Sequence, residues 1–248
     1  MGWGCEGPTQ DHDNKEACEF AGKALKALGG GTLKDDTILQ CLRLIHFRPN
    51  YKRAEVRPQG QPAVFSMTLG LVGQPPRISP TTEQLADVSR LIGKWGHQNL
   101  GQTAFKGTSI CLNKDYAAVP HRDNNNEGLS AARALGVGSG GQLAVWPRDD
   151  GTLDLRNMDW SLAEKLDVRK DFKLFDGRQA HAVTSIGANA TASSSLPRRA
   201  SWTEIGNPGP AGSVGTRCQR HWRVVCATAA RHSSAAGVVD FNINVGHL

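Results

Sequence analysis

The stretch Tyr116-Ala117-Ala118-Val119-Pro120-His121-Arg122-Asp123-Asn124-Asn125-Asn126-Glu127-Gly128 decides how this chain is read. Its first half has the composition of a strand and its last five residues that of a turn. Between them stands the one His-x-Asp of the sequence. On extended backbone, residues i and i+2 lie on the same side, so the end of one strand can offer an imidazole and a carboxylate to a single ion. Two histidines and one carboxylate on one face of an octahedral Fe(II) leave three positions open. A later strand must then bring the second histidine. His181 opens His181-Ala182-Val183-Thr184 directly after the turn Asp176-Gly177-Arg178. Taken alone the dyad is weak, since a surface pair is its ordinary meaning; the elements around it give it weight.

From Gly107 onward short apolar segments alternate with Gly, Asn and Asp. Strands are predicted at Thr108–Leu112, Tyr116–His121, Leu129–Leu135, Gln142–Trp146, Thr152–Leu155, Phe172–Phe175 and His181–Thr184, a rhythm that indicates a sandwich or barrel. Ahead of them a helix is predicted over Asp13–Leu28, where Asp13 and Glu16 have capping-box spacing and Gly29-Gly30-Gly31 stops it. Ile38–Phe47 fits helix or strand equally, and Ala63–Val72 alternates as a strand. A second clear helix starts at Ser79-Pro80 and carries Leu85, Val88, Leu91, Ile92 and Trp95 on one face, with Gly96 as its end. Helices first and strands after give an α+β fold, with the helices buttressing one sheet.

After Thr184 the composition changes. Ala188–Ser195 is small-residue low complexity, Asn207–Gly215 is rich in Gly and Pro, and no lysine follows Lys173 while arginines crowd the last quarter. The organisation expected is a helical and strand support region over 1–104, a core over 105–205 and a poorly structured, flexible tail over 206–248. With 39% hydrophobic and 21% charged residues in 248, the chain is globular in class. No apolar run approaches the roughly 18 residues that span a bilayer, and no secretory pattern opens the sequence, so an intracellular protein, cytoplasmic or nuclear, is expected with no membrane partner. The six cysteines lack metal-site or disulfide-framework spacing and read as reduced thiols. A net charge of +6 suits an anionic cosubstrate as well as nucleic acid.

The ordered succession Asn113-Lys114-Asp115-Tyr116, His121 to Ser130, Ala134-Leu135-Gly136, Gly140-Gly141-Gln142-Leu143 and Phe175 to Val183 resembles the Fe(II)/2-oxoglutarate-dependent dioxygenases. The likeness covers about residues 105–185 and is nearest to an algal and viral branch, with some similarity to nucleobase-oxidising members. It implies a double-stranded β-helix, or jelly-roll, core in which His121 and Asp123 end the second core strand and His181 lies on the seventh. It also implies Fe(II) as metal, 2-oxoglutarate and dioxygen as partners, and oxidation of an unactivated C–H bond. The substrate stays open among protein side chain, nucleobase and small molecule. Tyr116 and Asn113 are candidates for contact with the cosubstrate, each with a structural reading as a strand residue beside it.

One departure matters. In the family a basic residue, one intervening residue and a serine follow the distal histidine shortly, and the basic side chain forks onto the distal carboxylate of 2-oxoglutarate. Here the first fit is Arg199-Ala200-Ser201, so Arg199 and Ser201 are the expected cosubstrate residues. Arg223, heading Arg223-Val224-Val225-Cys226-Ala227-Thr228, is a better strand but much farther along. Two other functions stand beside the enzyme: a non-catalytic barrel that binds without turnover, and a basic nucleic-acid-binding protein using the tail arginines with Trp202 and Trp222. Asn124, Asn125 and Asn126 read as the turn after the metal strand, and Trp95 and Trp146 as core.

Overall fold

A computed structural model describes residues 14–73, 75–101, 105, 107–115, 117–136 and 141–184 with their side chains, together with the backbone of Trp222–Ala227. Four helices come first, interrupted by a hairpin: α1 (Lys15–Leu28), α2 (Asp35–Leu44), α3 (Pro80–Gln84) and α4 (Ala86–Leu100). The hairpin is β1 (Phe65–Val72) with β2 (Arg77–Ile78). Eight strands follow: β3 (Ser109–Lys114), β4 (Ala118–His121), β5 (Ser130–Leu135), β6 (Leu143–Val145), β7 (Glu164–Leu166), β8 (Lys173–Phe175), β9 (His181–Val183) and β10 (Trp222–Ala227). Together with the hairpin they form two antiparallel sheets of a mixed α+β protein, ordered β2-β1-β3-β10-β5-β8 and β4-β9-β6-β7.

Strand alternation explains the layering. On β5 the side chains of Ala131 and Leu135 join the helix-side core, with Leu69, Ile110, Leu112 and the α4 stripe Val88, Leu91, Ile92 and Trp95. Ala132 on the same strand points the other way, into a cluster with Ala118, Leu143, Val145, Phe175 and Val183 between the two sheets. The large sheet is thus covered by helices on one face and by the small sheet on the other. A polar tie crosses the helix side. Arg133 of β5, itself buried, donates to the carboxylate of Asp35 at the start of α2 and to the Val168 carbonyl. Trp95 Nε1 donates to the other Asp35 oxygen at 3.1 Å.

Several expectations need correction. The cap of α1 is Asn14, and its side chain makes no cap bond; its Oδ1 instead accepts from the His46 backbone N–H at 2.7 Å. The capping box of Asp13 has its first residue outside the described ones. The second helix does not stop at Gly96. It breaks at Leu85, restarts at Ala86 and runs through Gly96 to Leu100, because a buried face from Val88 to Leu100 outweighs the roughly 1 kcal/mol that an interior glycine costs. The ambiguous Ile38–Phe47 segment is helical up to Leu44. Thr152–Leu155 is no strand: Asp150 and Asp154 each accept from the backbone N–H two residues on, folding the segment into turns that precede a 3-10 turn at Leu155–Asn157.

The most consequential element comes from the stretch read as tail. β10 lies between β3 and β5, pairing Arg223 with Asn113 on one side and Ala134 on the other. Four apolar or small residues, Val224-Val225-Cys226-Ala227, suit such a doubly paired position. The rest of the stretch expected as a flexible tail, 206–221 and 228–248, lies outside the described residues.

Candidate metal centre

β4 and β9 are neighbours in the small sheet, and their register sets His121 opposite His181. The imidazole centroids are 4.2 Å apart. Asp123 follows two residues after His121, and its Oδ2 lies 3.8 Å from His181 Nε2. One ligand atom from each of His121, Asp123 and His181 falls within 4.8 Å of the other two. His121 and Asp123, two residues apart, are thus brought together with His181, which reaches them across one strand ladder.

The rings are held in a form suited to metal. His121 Nδ1 sits 2.8 Å from the Val119 carbonyl and His181 Nδ1 2.9 Å from the Gln179 carbonyl. A carbonyl oxygen only accepts, so each Nδ1 must carry the proton, and each Nε2 lone pair is left for an ion. Burial, and then the neighbouring His181 ring, push the His121 pKa down to about 4. At neutral pH that ring is uncharged, the form a metal requires. Phe175 stands edge-on to His181 at 5.1 Å and walls its far side.

The carboxylate is also oriented. Asp123 N–H donates to the Gly177 carbonyl at 2.8 Å. Asn126 Nδ2 donates to Ser130 Oγ at 3.2 Å and approaches Asp123 Oδ2 at 3.4 Å. Asn126 thus does more than shape a turn. Gly177 packs so closely that an added Cβ would lie 2.9 Å from both Asn126 Nδ2 and Ser130 Oγ. Sequence reading saw Gly177 only as a turn residue.

The three groups open into a cavity of about 520 Å³ between the sheets, whose wall includes Asn50, Arg53, Ser66, Thr68, Cys111 and Asn113. Asn113, expected to touch the cosubstrate, is buried in this wall and accepts from the Cys111 thiol at 3.6 Å. Burial foremost raises the Cys111 pKa, keeping the thiol protonated. Tyr116, Arg199 and Ser201, the other expected cosubstrate residues, lie outside the described residues. Arg53 and Asn50, which belong to the wall, carried no signal in the sequence because they precede the strand region.

No protein-family profile matches the chain, and no curated protein does. Among solved structures it is similar to NgTET1 in complex with 5mC DNA, with a TM-score of 0.37 and 11% identity over 66% of this chain and 60% of that one. No helix of the described residues is long and apolar enough to cross a membrane.

Proposed function

We propose that this protein is a dioxygenase dependent on Fe(II) and 2-oxoglutarate, with His121, Asp123 and His181 as the iron ligands. The observation that carries the reading is the triad itself: two imidazoles with their Nδ1 protons engaged and one carboxylate, converging from paired strands at the wall of a cavity. Two nitrogens and one oxygen are the donor set of non-haem Fe(II) oxygenases, and they leave room for a chelating 2-oxo acid and dioxygen. With iron and 2-oxoglutarate bound, the site would supply oxidation of a substrate C–H bond coupled to loss of carbon dioxide from the cosubstrate.

Strand order supports the jelly-roll reading. Counted from β3, the eight strands run 1-8-3-6 in the large sheet and 2-7-4-5 in the small one, the interleaving produced when a long antiparallel hairpin is rolled up. His121 ends the second of these strands and His181 opens the seventh.

Among the arginines, Arg223 is the preferred anchor for the distal carboxylate of 2-oxoglutarate. Directly opposed residues of an antiparallel ladder belong to the same sheet face. Arg223 is opposed to Asn113, and Asn113, Cys111 and Ser109 are cavity residues while Ile110 and Leu112 belong to the helix-side core. Arg199 has no such argument in its favour. Asn113 would contribute its amide to the same ligand.

The test is anaerobic titration of the full chain with Fe(II) and then 2-oxoglutarate, following the weak visible charge-transfer band of the chelate. Appearance of the band at one equivalent of iron is expected. Iron uptake without any band at millimolar 2-oxoglutarate would replace the enzyme by a metal-binding barrel without turnover.

A further inference from the structure

Arg122 stands between the two ligands of the β4 end, and it is gripped by a residue far away in sequence. Its Nε donates to Asp149 Oδ2 at 2.7 Å and its Nη2 to Asp149 Oδ1 at 2.6 Å, a two-pronged pair. The same Nη2 reaches the Leu153 carbonyl at 3.0 Å. Asp149 has a second hold. Its Oδ2 accepts from the backbone N–H of Ala180 at 2.6 Å, the residue just before His181, and its Oδ1 accepts from Gly151 N–H at 3.2 Å. The aspartate is itself fixed by its N–H to the Trp146 carbonyl at 3.0 Å, while Trp146 N–H donates to the Ala180 carbonyl at 2.9 Å. Gln179 Nε2 adds a bond to the Pro147 carbonyl at 2.8 Å.

One carboxylate therefore joins the residue flanked by His121 and Asp123 to the residue preceding His181. The Asp149 side chain is only 1% exposed and that of Arg122 13%. Burying an ion pair is a poor way to gain stability, because desolvation offsets most of the attraction. What a buried, forked pair does fix is geometry: the guanidinium plane, and with it the backbone on either side. We infer that Asp149, acting through Arg122 and Ala180, is the positioning residue that sets the separation between the β4 ligand pair and the β9 ligand. Asp149 is not among the cavity-wall residues, so it acts on the ion only by way of the strands it ties. The inference rests on the metal reading above.

The experiment uses the full chain and Co(II), whose visible absorption reports ligand geometry. Asp149→Asn keeps an acceptor for Ala180 but loses the charged fork, and Arg122→Lys keeps the charge but loses the fork. Arg133→Met serves as a control that perturbs the helix side of the other, larger sheet. Co(II) affinity should fall about 10- to 100-fold in Asp149→Asn and Arg122→Lys, with an altered visible spectrum, while Arg133→Met keeps the wild-type affinity and spectrum. Wild-type affinity and spectrum in both site variants would overturn the inference, as would an equal loss in Arg133→Met, which would make the effect one of stability. Should Asp149→Asn fail to fold, Arg122→Lys decides alone. A wild type that takes up no Co(II) would instead remove the metal reading, and this inference with it.

Discussion

His121 and His181 face each other directly across the β4–β9 ladder, yet the hydrogen bonds that hold their rings run along each strand to the carbonyl two residues back. Each ring is oriented by a carbonyl of its own segment, and the ladder pairs the two segments. Substituting either histidine therefore removes one proposed ligand and leaves the Nδ1 hydrogen bond of the other in place. His121→Ala, Asp123→Ala and His181→Ala should each abolish stoichiometric Fe(II) binding while preserving far-ultraviolet circular dichroism. Retention of one tightly held iron in all three variants would refute the assignment.

Gly177→Ala should weaken metal binding with little change in fold. A methyl group there meets Asn126 Nδ2 and Ser130 Oγ at 2.9 Å each and Asp123 Cβ at 3.7 Å. The two polar groups have to move, and Asn126 is the one that orients the Asp123 carboxylate. A fall of about tenfold in Fe(II) affinity is expected, measured by competition with a chelator of known strength. Gly177→Ser would not relieve it, since the added Cβ is the same.

The cosubstrate should depend on Arg223 and not on Arg198 or Arg199. Loss of a buried charge-assisted partner typically costs about 2–5 kcal/mol, or roughly thirty- to several-thousand-fold in affinity. Titration of 2-oxoglutarate into the iron-loaded variants Arg198→Ala, Arg199→Ala and Arg223→Ala reads this directly. Selective loss at Arg199 would return the anchor to the position that the sequence motif favours.

Acid stability should carry a contribution from Asp149. The guanidinium of Arg122, through its hydrogen bonds, holds the Asp149 pKa down at about 2, against about 3.9 for an aspartate in an unfolded chain. A folded pKa below the unfolded one means that the unfolded state takes up the proton first. The stabilisation is thus complete above about pH 4 and is lost as pH falls toward 2. Urea unfolding of the metal-free protein should show wild type and Asp149→Asn converging over that interval. A constant difference from pH 5 to pH 2 would contradict it.

On the helix side, Asp35→Ala should destabilise more than Arg133→Met. Removing Asp35 leaves a buried guanidinium and the Trp95 indole N–H without their shared acceptor, at a cost of about 2–4 kcal/mol. Removing Arg133 leaves an aspartate that is 42% exposed and can turn to water. Chemical denaturation of both variants checks the order.

The legible parts of this protein were those written in short-range spacing. His-x-Asp on a strand, a histidine opening a later strand and an apolar stripe from Val88 to Trp95 need only local periodicity to be seen. Asp149 was invisible because its partners, Arg122 and Ala180, come from distant segments, and nothing near an aspartate announces which carboxylate will be buried. β7, Glu164-Lys165-Leu166, has no apolar alternation and exists by pairing with β6. β10 showed a strand-like composition in Arg223 to Ala227, but its position between β3 and β5 depends on long-range pairing that no spacing in the sequence encodes. Gly96 misled for the opposite reason: a local stop signal was overruled by packing along α4.

The order of the large sheet has a consequence for synthesis. β10, which lies between β3 and β5, is the last of the described strands to leave the ribosome, so β3 and β5 emerge earlier and wait, each with an unpaired edge of N–H and carbonyl groups toward the missing neighbour. Such edges are the surfaces through which chains stick to one another. A transcript that ended near residue 205 would encode all three proposed metal ligands and still yield a protein with a slot through its larger sheet. Completion of the large sheet is therefore gated by the arrival of six residues, and the yield of this chain in a cell should respond sharply to changes at Trp222–Ala227.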